Sequence, residues 1–258
     1  MSEHDEQPYS FDHLIHVVDD LEDAMTCYTS LNLPTHTALS MPGFRNAAWG
    51  VDDERYVELA TIDDWDATAD SPYAHTLSLM RPSVEAATTP GLVSFAVHVP
   101  DAHATARALE AGDYDVRIAD VRFEEKNAGF TEVFISDAPT WFPFFISYDP
   151  PRSTIAAMRA DHRISQGGDP EPACVSGPDL AYLLVRSDAP AESTRRLAGL
   201  LGCRHDETTV HLPGAQIRFT PGAPSGLYGF GVRGAPNIPG TSGDEGTVDV
   251  HGAVIERN

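Results

Sequence analysis

Hydrophobic and polar positions along the chain fall into a pattern that starts in earnest at Phe11 and then recurs. Residues 11–18, Phe-Asp-His-Leu-Ile-His-Val-Val, read as a strand, and Asp19-Asp20 follow as a helix N-cap. Apolar Leu21, Met25, Tyr28 and Leu31 then recur at near-helical spacing until Asn32-Leu-Pro34 stops the helix. Residues 43–51, a turn at 51–54 and residues 55–62 read as strand, hairpin turn and strand. There is room around His36 to Met41 for one more short strand, so the unit is βαβββ.

The same order returns about 80 residues later. A strand is expected at 92–99, a helix opened by Pro100-Asp101 and closed by Gly112, and three strands at 116–123, 131–135 and 141–148. Residues 150–179, rich in Pro, Gly and charge, read as a linker with a short helix at 154–161. A third, partial copy follows at 180–233: a strand at 180–185, a helix ended by Gly202, a hairpin around Pro213-Gly214 and a last strand at 226–232. The expected division is a flexible N-terminus at 1–10, paired modules at 11–62 and 92–149, the linker, the third module, and a polar, largely flexible tail at 234–258 with order confined to 247–255. The fold class is α+β, with repeated βαβββ modules forming curved mixed sheets around a cleft. One such unit leaves an apolar sheet face bare, so units must pair, and a homodimer is one way to satisfy the third.

Composition narrows the partners. Acidic residues number 39 against 17 basic ones, giving a net charge of −22, and Lys126 is the sole lysine. Such a surface repels nucleic acid and anionic membranes. It is also the surface of a salt-adapted, halophilic protein, in which screening relieves self-repulsion. No apolar run approaches the roughly 20 residues of a membrane span, and the acidic first residues are unlike a secretory leader, so a cytoplasmic location is expected. Cys27, Cys174 and Cys203 lack the spacing of a zinc or redox motif and read as ordinary thiols. The glycine-rich stretch at 226–231 does not open a helix after a strand, which excludes a dinucleotide loop.

The stretch 11–21, followed by Gly43-Phe-Arg-Asn-Ala-Ala-Trp-Gly50 and Tyr56-Val-Glu-Leu59, resembles the opening module of glyoxalase-like proteins of the vicinal oxygen chelate superfamily. Residues 141–149, Trp-Phe-Pro-Phe-Phe-Ile-Ser-Tyr-Asp, resemble the closing strand of that family's second module. With the third copy, the resemblance spans about residues 10–233. It implies a divalent ion (Mn, Fe, Zn, Co or Ni) held by a His on the first strand and a Glu on the fourth, matched here by His13 and Glu58, with two equivalent ligands from the second module. At those second positions alignment places Ser94 and Ser147, whose hydroxyls are poor ligands, so the site is incomplete; His98, on the face of Ser94, is a weak substitute. Strand alternation lets only one of His13 and His16 enter the cleft.

Catalysis is therefore expected of His13 and Glu58, as metal ligands or as a base and its orienting carboxylate. Asn46, Ser94, Ser147 and Trp49 are the expected substrate contacts. Phe130, Trp141 and Phe144 are candidates for a pocket wall or for core, and Arg45 and Gly129 for an anionic substrate. Two functions remain open at this point. One is a lyase, isomerase or dioxygenase acting on a small oxygen-bearing molecule; the other is a non-catalytic protein that binds or sequesters one.

Overall fold

The computed structural model describes residues 9–87, 90–169, 173–234 and 246–257. Strand β1 (Ser10–Val17) runs into helix α1 (Leu21–Ser30), whose first turn is capped by the Asp20 side chain accepting from the backbone N–H of Asp23 at 2.9 Å. Strands β2 (Thr35–Met41), β3 (Phe44–Gly50) and β4 (Tyr56–Ile62) complete the first module. After an unanticipated helix, α2 (Ala74–Ala86), the order repeats as β5 (Gly91–His98), α3 (Ala102–Ala111), β6 (Val116–Phe123), β7 (Ala128–Ile135) and β8 (Phe144–Asp149). Asp101 caps α3 as Asp20 caps α1, accepting from the N–H of Ala104.

These strands form one mixed eight-stranded sheet in the order β2-β3-β4-β1-β5-β8-β7-β6. β1 is parallel to β4, β5 is parallel to β8, and β1 and β5 join the two modules antiparallel. The linker carries α4 (Arg152–Ser165), which extends the short helix expected at 154–161 at both ends, and a single turn α5 (Ala173–Ser176).

A second, seven-stranded sheet follows, built from β9 (Asp179–Ser187), α6 (Pro190–Leu201), β10 (Arg204–His205), β11 (Thr209–Leu212), β12 (Ala215–Pro221), β13 (Gly226–Arg233), β14 (Thr247–Val250) and β15 (Ala253–Arg257). Its order is β10-β11-β12-β9-β13-β15-β14. The order expected at 247–255 takes the form of the hairpin β14–β15, and the rest of the expected flexible tail lies mostly outside the described residues. β15 pairs parallel with β13 and antiparallel with β14, because the alternation of Val248, Val250, Ala253 and Ile255 buries one face. The expected loose N-terminus lies mostly outside the described residues, although Tyr9 packs on Phe145 at 5.8 Å between ring centres and Ser10 opens β1.

One apolar core joins the two sheets. Phe11, Leu14, Trp49, Val57, Phe95 and Phe145 of the first meet Leu183, Val185, Ile217, Phe219 and Phe230 of the second. Trp49 stacks on Phe230 at 6.3 Å, and Trp141 meets the edge of Phe219 at 5.2 Å. The opposite, concave face of the first sheet carries a smaller apolar cluster around Ile15, Val17, Val93, Ala96, Phe144 and Ile146. That face holds the site.

Candidate functional site

The curl of the first sheet, closed over by α2 and α4, encloses a cavity of about 500 Å³, within the range of small-ligand sites. Its walls are mostly apolar, with Ile15, Phe44, Leu77, Met80, Phe130 and Ile146 among them. Alternation along β1 points His13, Ile15 and Val17 inward, as expected, and sends His16 to the other face.

His13 and Glu58 share the cavity's polar end, with Nε2 of the imidazole 3.8 Å from Oε2 of the carboxylate. His13 is buried, and its Nδ1 lies 2.8 Å from Oδ1 of the fully buried Asp12. A carboxylate oxygen can only accept, so Nδ1 carries the proton and Nε2 is presented to Glu58 and the cavity. The imidazole also stacks on Tyr56 at 4.6 Å.

Asp12 is the hub beneath. It accepts from Tyr148 Oη at 2.7 Å and pairs with Nε of Arg152 at 3.0 Å. Burial alone pushes this carboxyl up, but the hydrogen bond from His13 and the charges of His13, Arg152 and Arg159 outweigh it and bring its pKa down to about 2. Arg159, from α4, lies 4.4 Å over the ring of Tyr56 and donates from Nη2 to Tyr148 Oη at 3.0 Å, while its Nη1 is buried without a hydrogen-bond partner. Burial, chiefly, pushes the Tyr56 and Tyr148 phenols up, so both stay protonated as donors beside the guanidinium.

Asn46 lines the cavity and acts on Glu58. Its Nδ2 donates to Glu58 Oε1 at 2.6 Å, and its Oδ1 accepts from the N–H of Leu39 at 2.7 Å, which fixes the amide orientation. Its place is that of a positioning residue for the carboxylate.

The other expected contacts lie elsewhere. Trp49 sits on the outward face of β3 in the core between the sheets, because an odd-numbered step from Asn46 reverses the side chain. Ser147 accepts from the N–H of Ala102 at 3.2 Å and so helps to cap α3. Ser94 is buried and does not line the cavity, and neither does His98, which stacks on Tyr148 at 6.2 Å. Arg45 is spent on Glu22 and Asp63 at the surface.

Strand pairing also revises the alignment of the second module. Equal distances to the caps Asp20 and Asp101 equate His13 with Ser94 and Ile15 with Ala96. Ile15 pairs with Glu58 and Ala96 pairs with Phe144, so Phe144, not Ser147, takes the place of Glu58. Its ring meets His13 edge-on at 5.5 Å.

A divalent ion of the kind the resemblance implies would need donors from both modules, and the second offers a phenyl ring and a withdrawn hydroxyl. Among the described residues, His13 and Glu58 do not converge with any third carboxylate, imidazole or thiol. The donor set does not fit a four-ligand metal centre.

Sequence reasoning missed three cavity residues. Arg159 comes from the linker and Thr76 from α2. Glu132, on β7, occupies the place that Asn46 has in the first module, since Asn46 pairs with Ala60 and Glu132 with Ile146. It is buried, and Thr76 Oγ1 donates to its Oε2 at 2.7 Å. Burial, opposed by that hydrogen bond and reinforced by the charges of Glu58 and Asp12, pushes its pKa up to about 8, so it is mainly a neutral acid at pH 7. The signal was present: Glu132 shares a strand face with Phe130 and Phe134, where a carboxylate is out of place.

The glyoxalase-like domain family matches residues 11–201. No functionally curated protein matches the chain. Among solved structures, a hypothetical protein from Staphylococcus aureus is 16% identical and matches 97% of this chain and 98% of its own length, with a TM-score of 0.72. Methylmalonyl-CoA epimerase from Mycobacterium tuberculosis is 20% identical over 54% of this chain and 86% of its own, with a TM-score of 0.38. The Streptomyces coelicolor epimerase in complex with 2-nitronate-propionyl-CoA is 17% identical over 53% of this chain and 92% of its own, also with a TM-score of 0.38. By its paired βαβββ modules and the extent of the family match, the chain belongs to the glyoxalase-like domain family.

Proposed function

We propose that the protein is an acid–base enzyme that moves a proton on a small oxygen-bearing molecule with an apolar body, using a histidine–carboxylate pair in place of a four-ligand metal. The observation that carries this reading is the placement of His13 Nε2 beside Glu58 at the polar end of an otherwise apolar cavity, with both groups braced from behind by Asp12 and Asn46. The pair can take up one proton from substrate carbon and return it. The buried guanidinium of Arg159, with a spare Nη1 donor and the Tyr56 phenol beside it, suits an oxygen that becomes negative as that proton leaves. Glu132, mainly neutral at pH 7, can donate a hydrogen bond from the cavity's second module. The reaction class is an isomerisation or elimination next to a carbonyl.

A test is deuterium incorporation, followed by proton NMR, for a panel of 2-oxo acids, 2-hydroxy ketones and 3-oxo esters with short hydrocarbon tails. Wild-type protein should exchange the proton next to the carbonyl of at least one member, and Glu58→Gln and His13→Gln should each slow it about 100-fold or more. Exchange that survives in both variants, or vanishes from wild type after metal removal, would count against the mechanism. The second reading, a sequestering protein, draws on Phe144 in the carboxylate position and on the withdrawn Ser94. Calorimetric binding of panel members without exchange of any would select it.

A further inference from the structure

We infer that Asp23, Cys27 and His251 form a binding site for a zinc-class divalent ion that fastens the C-terminal hairpin to the first module. The carboxylate oxygen, thiol sulfur and ring nitrogen all lie within 4.8 Å of one another, the only such group of three among the described residues. Ligands around a tetrahedral ion at ordinary bond lengths sit about 3.3–3.8 Å apart, so small rotamer adjustments close the site. Asp23 and Cys27 are one turn apart on α1 and therefore share a face. His251 reaches them from the turn between β14 and β15, with Nε2 already 3.2 Å from Asp23 Oδ2.

The support beneath His251 is built as well. Its carbonyl oxygen accepts from Nε2 of the buried His16 at 3.0 Å, and Tyr28 Oη donates to His16 Nδ1 at 2.9 Å. His16 is fully buried, and these two hydrogen bonds fix its ring in one orientation. The His251 backbone is thereby anchored from inside while its ring reaches the Asp23 carboxylate. Thiolate, imidazole and carboxylate together suit zinc or cobalt rather than magnesium or calcium, and the exposed side of Asp23 leaves a fourth position for water. The site lies on the opposite face of β1 from His13, so it stands apart from the cavity chemistry.

Cobalt(II) titration of the purified full chain tests this. The expected result is a sulfur-to-cobalt charge-transfer band and tetrahedral visible bands saturating at one ion per chain. They should be abolished in Cys27→Ser, weakened at least tenfold in affinity in His251→Asn, which tolerates the same left-handed turn, and retained in Glu58→Gln. Zinc should raise the melting midpoint of wild type by several degrees and leave that of Cys27→Ser unmoved. Absence of the sulfur band in wild type, its persistence in Cys27→Ser, or equal zinc stabilisation of both proteins would overturn the proposal.

Discussion

Position for position, His13 and Glu58 of the first sheet correspond to Tyr182 and Arg218 of the second. β1 and β9 enter their helices at the same distance, and Ile15 pairs with Glu58 as Leu184 pairs with Arg218. In the second sheet the hollow is filled. The Tyr182 ring lies against Gly231, where a Cβ would sit 2.1 Å from its Cζ, and the Arg218 guanidinium stacks over that ring at 3.5 Å. Tyr182 Oη then donates to Glu256 at 2.8 Å, and Arg186 covers Tyr228 at 4.2 Å. In the first sheet the matching face is left open, and α2 and α4 roof it. A curved sheet thus supplies only the frame; the size of the inward side chains and the presence of a roof decide whether it holds a cavity or a plug.

The most damaging way to break this contrast is at Asp12, whose counterpart in the second sheet is Ala181. Asp12→Ala leaves Arg152 and Arg159 without their shared buried anion and should cost about 3–5 kcal/mol, read by urea unfolding at pH 7. Because the folded-state pKa of Asp12 lies below its ordinary value, its stabilisation is full above about pH 4 and is lost as pH falls through about 2. The wild-type and variant midpoints should therefore converge in acid. Emptying the second hollow comes next: Tyr182→Ala should cost about 3 kcal/mol, as large-to-small core changes do, yet leave ligand binding in the first cavity intact. Altered binding would mean that the two faces are coupled through the shared core.

Glu132 gives a smaller effect with a distinctive sign. Its raised pKa means that the folded state holds the proton more tightly than the unfolded state, so its contribution is full below about pH 4.5 and is lost as pH rises through about 8. Glu132→Gln keeps the neutral form at every pH, and its melting midpoint should match wild type at about pH 4 and exceed it by a margin that grows as pH rises to about 8. The smallest effect expected per residue is that of the surface. With a net charge of −22, molar salt should raise the melting midpoint, and equal midpoints in dilute and molar salt would remove the salt-adapted reading.

Much of the first sheet was legible because its signals are local. Asp20 and Asp101 mark helix starts, and the alternation in 11–18 assigns His13 and His16 to opposite faces. α2 was hidden by Pro82 and by its polar residues, although Leu77, Met80 and Val84 keep helical spacing. The alignment of Ser147 with Glu58 failed because a short motif in β8 cannot report strand register, which pairing with β5 sets. Arg159 could not have been found, since nothing in a linker sequence says which surface its helix will dock on. The second sheet's last strands stood out as the ordered stretch 247–255 of a polar segment, but their pairing with β13 was not legible, because register is set by the partner strand.

Helix α4 carries a consequence for how this architecture can be divided. It is the covalent bridge between the two sheets, and it also supplies the cavity's ceiling and its buried cation, tied down by Arg152 to Asp12 at one end and by Arg163 to Asp53 at the other. A chain severed behind Asp149 would retain both paired modules, α2 and the imidazole, yet its pocket would lose the α4 side of its roof and its anionic hub would lose the guanidinium counter-charges. The connector has become part of the cavity wall, and the smallest piece that keeps the cavity whole is longer than the symmetric unit that first draws the eye.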